Sequence, residues 1–284
     1  MIELQGPSWG VDVVLARCEP SAEVQAVKDV ALELSAAESD YATRALANGL
    51  AGFNPLRGGL DEARAEHVPW VYKNRLGRKS SSARGVYRAL RNLAPGEVCP
   101  ICMARDVAAL DHFLPKKHFP ALAVQPSNLV PICSACNTIK TEQVMATNEQ
   151  QFLHPYFDRL GPDWLSAEVE EEPTSPLVFS IKPSSSWSDE LAQRVQTHFR
   201  RFDLANLYRR KSAHLLSEHR LGLETLFTEQ EEPVRAGSIA SETLRWSASH
   251  AEVSPWKAAA FAAWSRSDWF CHGGWRVAPN EDNR

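Results

Sequence analysis

The sequence predicts a mainly α-helical protein with a small α+β core. Apolar residues recur at helical spacing in the first and last hundred residues, whereas the stretch from Cys99 to Lys140 holds four of the six cysteines. With 284 residues, 44% of them hydrophobic, the chain can bury a core and form two or three units. We therefore divide it into an N-terminal helical module (1–97), a metal-bound core (98–158) and a mixed, then mainly helical region (159–284).

The cysteines of the core form two Cys-x-x-Cys pairs, Cys99/Cys102 and Cys133/Cys136. Each such turn directs both sulfurs into one concavity, and two turns supply the tetrahedral sulfur set that a structural Zn²⁺ prefers. A redox dithiol needs only one pair, and disulfides need an oxidising compartment. Because the first ten residues lack the basic start and apolar run of a secretory signal, we expect a cytoplasmic protein with structural zinc.

The segment between the two pairs is longer than in a simple zinc ribbon, which predicts additional structure there. Val107 to Leu110 reads as a short strand that ends at Asp111 and His112, and the stretch Phe113 to Pro126 reads as an irregular excursion. A helix is expected to start at the second pair. Zinc would thus hold a strand, a loop and a helix start together, which would allow Asp111, His112 and Asn137 to converge.

The order of these residues resembles a known family. Cys-x-x-Cys, Asp-His-x-x-Pro-Lys, Asn-Leu-x-Pro and Cys-x-x-Cys-Asn-x-x-Lys follow one another as in HNH endonucleases with a zinc-stabilised treble-clef ββα-metal core (His-Me finger). The resemblance covers the stretch from Cys99 to Lys140, and Phe152 to Asp158 resembles a segment downstream of the core in bacterial members.

The resemblance implies roles for individual residues. His112 would be the general base, Asp111 and Asn137 would be ligands of a catalytic divalent cation, and Asn128 would hold the loop around the base. The last motif position is Asn137 where many members have histidine, which favours Mg²⁺ or Mn²⁺ over softer transition metals. Lys140, with Lys116 and Lys117, would contact phosphate.

The chemistry of phosphodiester hydrolysis agrees with this assignment. It needs a base that acts near neutral pH, which histidine supplies, and a hard cation held by oxygen ligands beside the phosphate. Two alternatives stay open at this level: Asn137 as a cap at the helix start, and Asn128 as a structural residue. His154 either orients the core or merely packs.

Charge is distributed unevenly along the chain. Residues 73–140 contain eleven basic and three acidic side chains, a net charge of +8 in a chain whose overall charge is −4. Cations that replace condensed counterions provide most of the sequence-independent affinity for nucleic acids, whereas the alternative is a solvated helix face. The residues expected to bind nucleic acid are Arg78, Lys79, Arg84, Arg88, Lys116 and Lys117.

The sequence therefore indicates a metal-dependent HNH endonuclease that cleaves DNA. The alternatives are an RNA-cleaving nuclease of the same mechanism and a non-catalytic, zinc-organised binding or scaffold protein. Because the flanking helical regions exceed what cleavage needs, we expect them to bind a regulatory protein or a second copy of the chain. The resemblance suggests an ATPase of a bacterial anti-phage system. No apolar run approaches the length of a membrane helix, so we expect no membrane contact.

Secondary structure can be predicted for several flanking segments. Helical spacing runs from Ser21 to Leu50, with Asn48-Gly49 as a stop, and again over Ala83 to Leu93. Phe53 to Leu60 reads as a loop. In the last region, Leu177 to Ile181 is the clearest strand, the helical pattern resumes at Trp187, and Ser254-Pro255 is a helix start.

Overall fold

The computed structural model describes residues 3–54, 65–161, 163–172, 174–230, 232–251 and 254–276. Most of the predicted loop Phe53–Leu60 therefore lies outside the described residues. The chain forms two compact units, and the first is discontinuous in sequence: it comprises Met1–Arg159 and Ser188–His198. The second comprises Leu160–Trp187 and Phe199–Arg284.

The first unit begins with helices and short helical turns. They are α1 (Val11–Ala16), α2 (Ala22–Lys28), α3 (Ala31–Leu46), a 3-10 turn (Leu50–Gly52), α4 (His67–Val71), a π turn (Tyr72–Leu76), α5 (Arg84–Arg91) and a 3-10 turn (Pro95–Glu97). The Ser21 hydroxyl caps α2 by accepting a hydrogen bond from the Val24 amide. Helix α5 confirms the helix predicted over Ala83 to Leu93, with slightly shorter bounds.

The helix predicted from Ser21 onward is two helices, because the chain turns between Lys28 and Ala31. The stop at Asn48-Gly49 is confirmed: α3 ends at Leu46, and Asn48 has the left-handed φ of 57° that asparagine tolerates. Leu46 falls within the helical spacing predicted from Ser21 to Leu50, but its side chain is 70% exposed and does not belong to the buried face. At 100° per residue it lies about 120° around the helix from buried Leu34.

The α+β part of the first unit follows. Strands β1 (Ala109–His112) and β2 (Leu129–Ile132) pair antiparallel, with His112 opposite Leu129, and helix α6 (Ser134–Lys140) comes directly after β2. The strand starts two residues later than predicted and includes Asp111 and His112. The reason is that the Val107 amide bonds to the Glu97 carbonyl instead of to β2.

One apolar core joins the helices to this strand pair. It includes Val27, Leu34 and Leu90 from the helices, and Leu110 and Leu129 from β1 and β2. Three 3-10 turns, Pro120–Leu122, Pro126–Asn128 and Asn148–Gln150, complete the connections. Most of the later helix α7 (Asp189–Arg201) also belongs to this unit, through residues 188–198.

The second unit packs a strand pair against helices. Strands β3 (Leu165–Val169) and β4 (Leu177–Ile181) are antiparallel, which confirms the predicted strand at Leu177 to Ile181. The helices are α8 (Leu204–Glu229), α9 (Pro233–Ser249), α10 (Pro255–Arg266) and α11 (Asp268–Cys271); α8 packs on β4 and α10 on β3. Helix α10 starts at Pro255 as predicted, although the Ser254 hydroxyl makes no capping hydrogen bond with any residue in the described part of the chain.

Tryptophans form part of the core of the second unit. Trp256, Trp264 and Trp275 are buried, whereas Trp246 on α9 is 63% exposed and stacks on His250. Across the described ranges, none of the helices is both long enough and apolar enough to cross a bilayer.

Candidate functional site

The four cysteines of the core lie together. Their sulfur atoms are buried and all lie within 4.8 Å of one another, and the Sγ atoms of Cys102 and Cys133 are 3.9 Å apart. Four thiolates at the usual Zn–S distance around one tetrahedral zinc ion would be about 3.8 Å apart. Cys133 is also the N-cap of α6, because its sulfur accepts the Cys136 amide. The cluster therefore fits a structural zinc ion that joins the first Cys-x-x-Cys turn to the start of α6.

His112 is the last residue of strand β1 and is buried, with 3% of its surface exposed. Its Nε2 lies 2.9 Å from the carbonyl oxygen of Ala123. Because a carbonyl only accepts hydrogen bonds, Nε2 carries the proton and Nδ1 carries the lone pair. Nδ1 makes no hydrogen bond with the described residues. Burial lowers the pKa of His112 to about 3, with smaller contributions from Lys116 and Lys140, so the ring is neutral at physiological pH.

Asn128 ties down the loop that passes over His112. Its side-chain oxygen accepts the Leu114 amide at 2.8 Å, and its side-chain nitrogen donates to the carbonyls of Leu114 and Leu122 at 3.1 and 3.2 Å. The asparagine is fully buried, and these bonds satisfy both ends of its amide. They join the two ends of the loop that carries Ala123, the hydrogen-bond acceptor of His112.

Asp111 and Lys140 form a partly buried ion pair. The Lys140 ammonium lies 2.9 Å from Oδ2 of Asp111 and donates to the His112 carbonyl at 2.8 Å. Oδ2 of Asp111 is buried and, despite the ion pair, has no partner with hydrogen-bond geometry among the residues that the structure describes. The sequence suggested a phosphate contact for Lys140. In the structure its side chain is buried and holds Asp111 and the end of β1 in place.

Asn137 lies on α6, one turn before Lys140. Residues three apart share a helix face, and Lys140 contacts Asp111, so this face of α6 is turned toward the end of β1. The side chain of Asn137 is exposed and makes no hydrogen bond with the described residues. It does not cap the helix start, because the N-cap is Cys133 and Asn137 is the fourth residue of α6.

Four of the six basic residues expected to bind nucleic acid are exposed, and the other two lie against aromatic rings. Arg78, Lys79, Arg88 and Lys117 are exposed, and Lys117 lies 3.8 Å from Glu142. Arg84 is occupied within the fold, since it lies over the Tyr87 ring at 3.7 Å and donates to the Gly77 carbonyl. Lys116 lies 5.9 Å above the Tyr72 ring.

The segment Phe152 to Asp158 packs against the core, although it lies outside the stretch from Cys99 to Lys140. His154 is buried, receives the Tyr156 amide at Nδ1, and donates from Nε2 to the Tyr41 hydroxyl at 2.9 Å. Its ring also lies 4.1 Å from that of Phe113, the residue after His112. Burial lowers the pKa of His154 well below its usual value. Its place in the structure is therefore that of a packed core residue beside the site.

Helix α7 contributes two buried residues that the sequence analysis did not single out. Arg194 forms a bidentate ion pair with Asp158, in which Nη1 donates to Oδ1 at 2.7 Å and Nη2 donates to Oδ2 at 2.6 Å. It also donates to the Asn48 side-chain oxygen and to the Phe152 carbonyl. His198 donates from Nε2 to the carbonyl of Ile101 at 2.9 Å, inside the first Cys-x-x-Cys turn. Arg194 and His198 follow Leu191 by three and seven residues, so helical spacing places them beside the apolar face of α7. Their polar side chains nevertheless gave no reason to expect burial.

The His198→Gln variant should lose part of the acid sensitivity of the fold. Burial lowers the pKa of His198 from 6.5 to about 3, so between these values the unfolded chain binds more protons, and stability falls as the pH drops below 6.5. One such group contributes about 1.4 kcal/mol per pH unit. Urea unfolding between about pH 6 and about pH 5 should therefore show a slope against pH that is smaller by about 1 kcal/mol per unit in His198→Gln. His118→Gln, at an exposed histidine, is the control, and equal slopes in wild type and His198→Gln would contradict the prediction.

Comparison with known proteins identifies the class of the core. Residues 99–143 match the family model described as HNH endonuclease. The chain therefore contains an HNH endonuclease domain at these residues, which supports a nuclease-type function. This match confirms the resemblance derived from the motif.

The chain is also similar to Protein ea31 of Escherichia phage lambda. The two are 34% identical over 155 residues, which cover 52% of this chain and 51% of that protein. The chain thus spans about half the length of this curated relative. No solved structure matches the present chain.

Proposed function

We propose that this protein is a metal-dependent endonuclease that hydrolyses phosphodiester bonds in DNA, with His112 as the general base and a ββα-metal core formed by β1, β2 and α6. The observation that carries the proposal is the tautomer of His112, a residue within the segment 99–143 that matches the HNH family model. Its Nε2–H is held by the Ala123 carbonyl, which leaves the lone pair of Nδ1 to take a proton from the attacking water.

Asp111 and Asn137 would hold the catalytic Mg²⁺ or Mn²⁺. Oδ2 of Asp111 is paired with the Lys140 ammonium, which leaves the other carboxylate oxygen, Oδ1, as the candidate ligand on a side chain that is 19% exposed. The exposed amide of Asn137 lies on the α6 face that turns toward Asp111, so a carboxylate oxygen and an amide oxygen are proposed as ligands of a hard cation. When bound, this cation supplies positive charge beside the scissile phosphate and the leaving oxygen. Lys140 positions Asp111 through its ion pair.

The exposed cations support nucleic acid as the substrate. Arg78, Lys79 and Arg88 come from the helical part of the first unit, and Lys117 comes from the loop after His112. Each phosphate that such a side chain neutralises releases condensed counterions, which provides affinity without sequence preference. We propose Arg78, Lys79, Arg88, Lys116 and Lys117 as the contacts to the phosphate backbone.

The second unit is proposed to bind a regulatory protein, such as an ATPase, or a second copy of the chain. Supporting features are its exposed apolar side chains, Leu221, Val234 and the 63% exposed Trp246. Light scattering of the purified protein tests this proposal. A monomeric mass and the absence of a co-purifying protein would contradict it.

The test of the catalytic proposal compares wild type with His112→Ala in the nicking of supercoiled plasmid with Mg²⁺, Mn²⁺ or EDTA. We expect metal-dependent nicking by wild type and a loss of about 10²- to 10⁴-fold in His112→Ala, the range that general base catalysis supplies. Zinc content is measured on both proteins to show that the fold is retained. The exposed His118 provides the matched control, and His118→Ala should nick like wild type.

Other outcomes of the same experiment separate the alternatives. Cleavage of labelled tRNA in preference to plasmid would identify RNA as the substrate. Equal nicking by wild type and His112→Ala would remove His112 from the mechanism, and biological activity that survives this substitution would favour a binding or scaffold role.

A further inference from the structure

Strand β1 has one edge paired with β2 and another edge covered by tyrosines from the helical part. The Leu110 amide donates to the Tyr87 hydroxyl at 3.1 Å, and the Tyr72 hydroxyl donates to the Leu110 carbonyl at 3.3 Å. The two phenol hydroxyls thus form the hydrogen bonds that a neighbouring strand would form, and they satisfy the Leu110 amide and carbonyl, which point away from β2. Both tyrosines precede the matched HNH segment, 99–143.

Tyr72 does more than cover the strand, because its ring also contacts His112. The ring centroids are 4.3 Å apart and the planes meet at 67°, an edge-to-face contact. The Ala123 carbonyl already fixes Nε2 of His112. Turning the imidazole over about its Cβ–Cγ bond would put Cδ2 in the place of Nδ1 and move Nε2 away from the Ala123 carbonyl. The hydrogen bond at Nε2 and the aromatic ring against one side of the imidazole both oppose this rotation.

The local backbone explains how a helical residue reaches this place. Tyr72 opens the π turn Tyr72–Leu76, in which the Gly77 amide bonds to the Tyr72 carbonyl at 2.8 Å. A π turn holds more residues than an α turn, so it changes the direction of the side chains where it joins α4. Such turns occur often at functional sites. The same Tyr72 ring carries the Lys116 ammonium 5.9 Å above it.

We propose that Tyr72 is a positioning residue of the candidate nuclease site, which orients His112 with Nδ1 toward the substrate phosphate and holds Lys116 beside it. This inference rests on the proposed role of His112. It makes the helical part of the first unit a component of the site, although the HNH match begins only at Cys99.

Tyr87 provides a matched comparison. Its hydroxyl bonds to the same residue, Leu110, and its side chain is buried whereas that of Tyr72 is partly buried, but among the described residues its ring has no contact with His112. Loss of the hydroxyl therefore removes one hydrogen bond to Leu110 at either position. Loss of contact with His112 follows only from a change at Tyr72.

The experiment uses the full-length, zinc-loaded protein and the variants Tyr72→Leu, Tyr72→Phe and Tyr87→Phe. Two quantities are measured: the ring ¹⁵N signals of His112 at one fixed pH, which report the tautomer, and the steady-state kinetics of nicking. We expect Tyr72→Leu to mix the two tautomers and to lower kcat by about 10- to 100-fold with little change in KM, because the base is misplaced. Tyr72→Phe and Tyr87→Phe should keep the Nε2–H tautomer and a kcat within about 3-fold of wild type, since neither changes the ring contact.

An unchanged His112 tautomer in Tyr72→Leu would overturn the inference, as would an equal loss of kcat in Tyr72→Phe and Tyr72→Leu. If Tyr72→Leu does not retain zinc, Tyr72→Met replaces it, because methionine fills the space without an aromatic ring. The ¹⁵N signals need no cleavage. A wild-type protein without nuclease activity would therefore refute the proposed function, while the tautomer would still decide the role of Tyr72.

Discussion

We expect the Cys133→Ala protein to contain no zinc and to lose the folded structure of its first unit. Structural zinc contributes about 10–16 kcal/mol of apparent binding free energy in zinc-finger peptides, which is comparable to the whole stability of a domain. Cys133 has two tasks here, since its sulfur belongs to the four-cysteine cluster and also caps α6. Zinc content by mass spectrometry and helix content by circular dichroism measure the two losses.

The matched control for this substitution is Cys18→Ala. Cys18 is also buried in the first unit, where its thiol donates to the Val14 carbonyl, but it lies outside the cluster. We expect this variant to keep its zinc and to melt within a few degrees of wild type. A Cys133→Ala protein that melts like Cys18→Ala would show that the cluster does not hold the unit together.

The second large effect is expected from the ion pair between Arg194 and Asp158. Arg194→Met leaves the Asp158 carboxylate buried without its counter-charge and removes the hydrogen bonds to Asn48 and Phe152. Breaking one partner of a buried pair costs about 3–5 kcal/mol. Urea unfolding at neutral pH should show a loss of this size in the free energy of unfolding.

Two further variants make this test specific. Arg200→Met changes an exposed arginine on the same helix, α7, and should alter the free energy of unfolding by less than about 0.5 kcal/mol. The double variant Arg194→Met/Asp158→Leu removes both charges and should recover part of the loss, because no uncompensated charge stays buried. A loss below about 1 kcal/mol in Arg194→Met would contradict the role assigned to the pair.

The sequence predicted what depends on short-range spacing. Two Cys-x-x-Cys pairs bring their sulfurs together wherever the intervening chain permits, and the zinc fit of the cluster follows from that. The strand at Leu177 to Ile181, the helix stop after Leu46 and the helix start at Pro255 have local signals and were found. The strand before the site was displaced by two residues because a backbone hydrogen bond from Val107 to Glu97, ten residues earlier, decides where β1 begins.

What the sequence did not predict depends on contacts between distant residues. Tyr72 contacts His112 from forty residues upstream, and His198 reaches Ile101 from 97 residues downstream. A single sequence contains no periodicity or motif that reports such pairs. The burial of Lys140 was missed for a related reason, because lysine is seldom buried unless it is paired, and the partner is known only from the fold.

The discontinuity of the first unit has a consequence for its synthesis. When the ribosome has completed Arg159, the nascent chain already contains all four clustered cysteines, His112 and Asp158. It lacks Ser188–His198, which belong to the same unit and supply the counter-charge of Asp158 and the donor to Ile101. Since a domain folds as a unit, this one can finish folding only after α7 has emerged. The residues of the candidate nuclease site are thus translated early and assembled late.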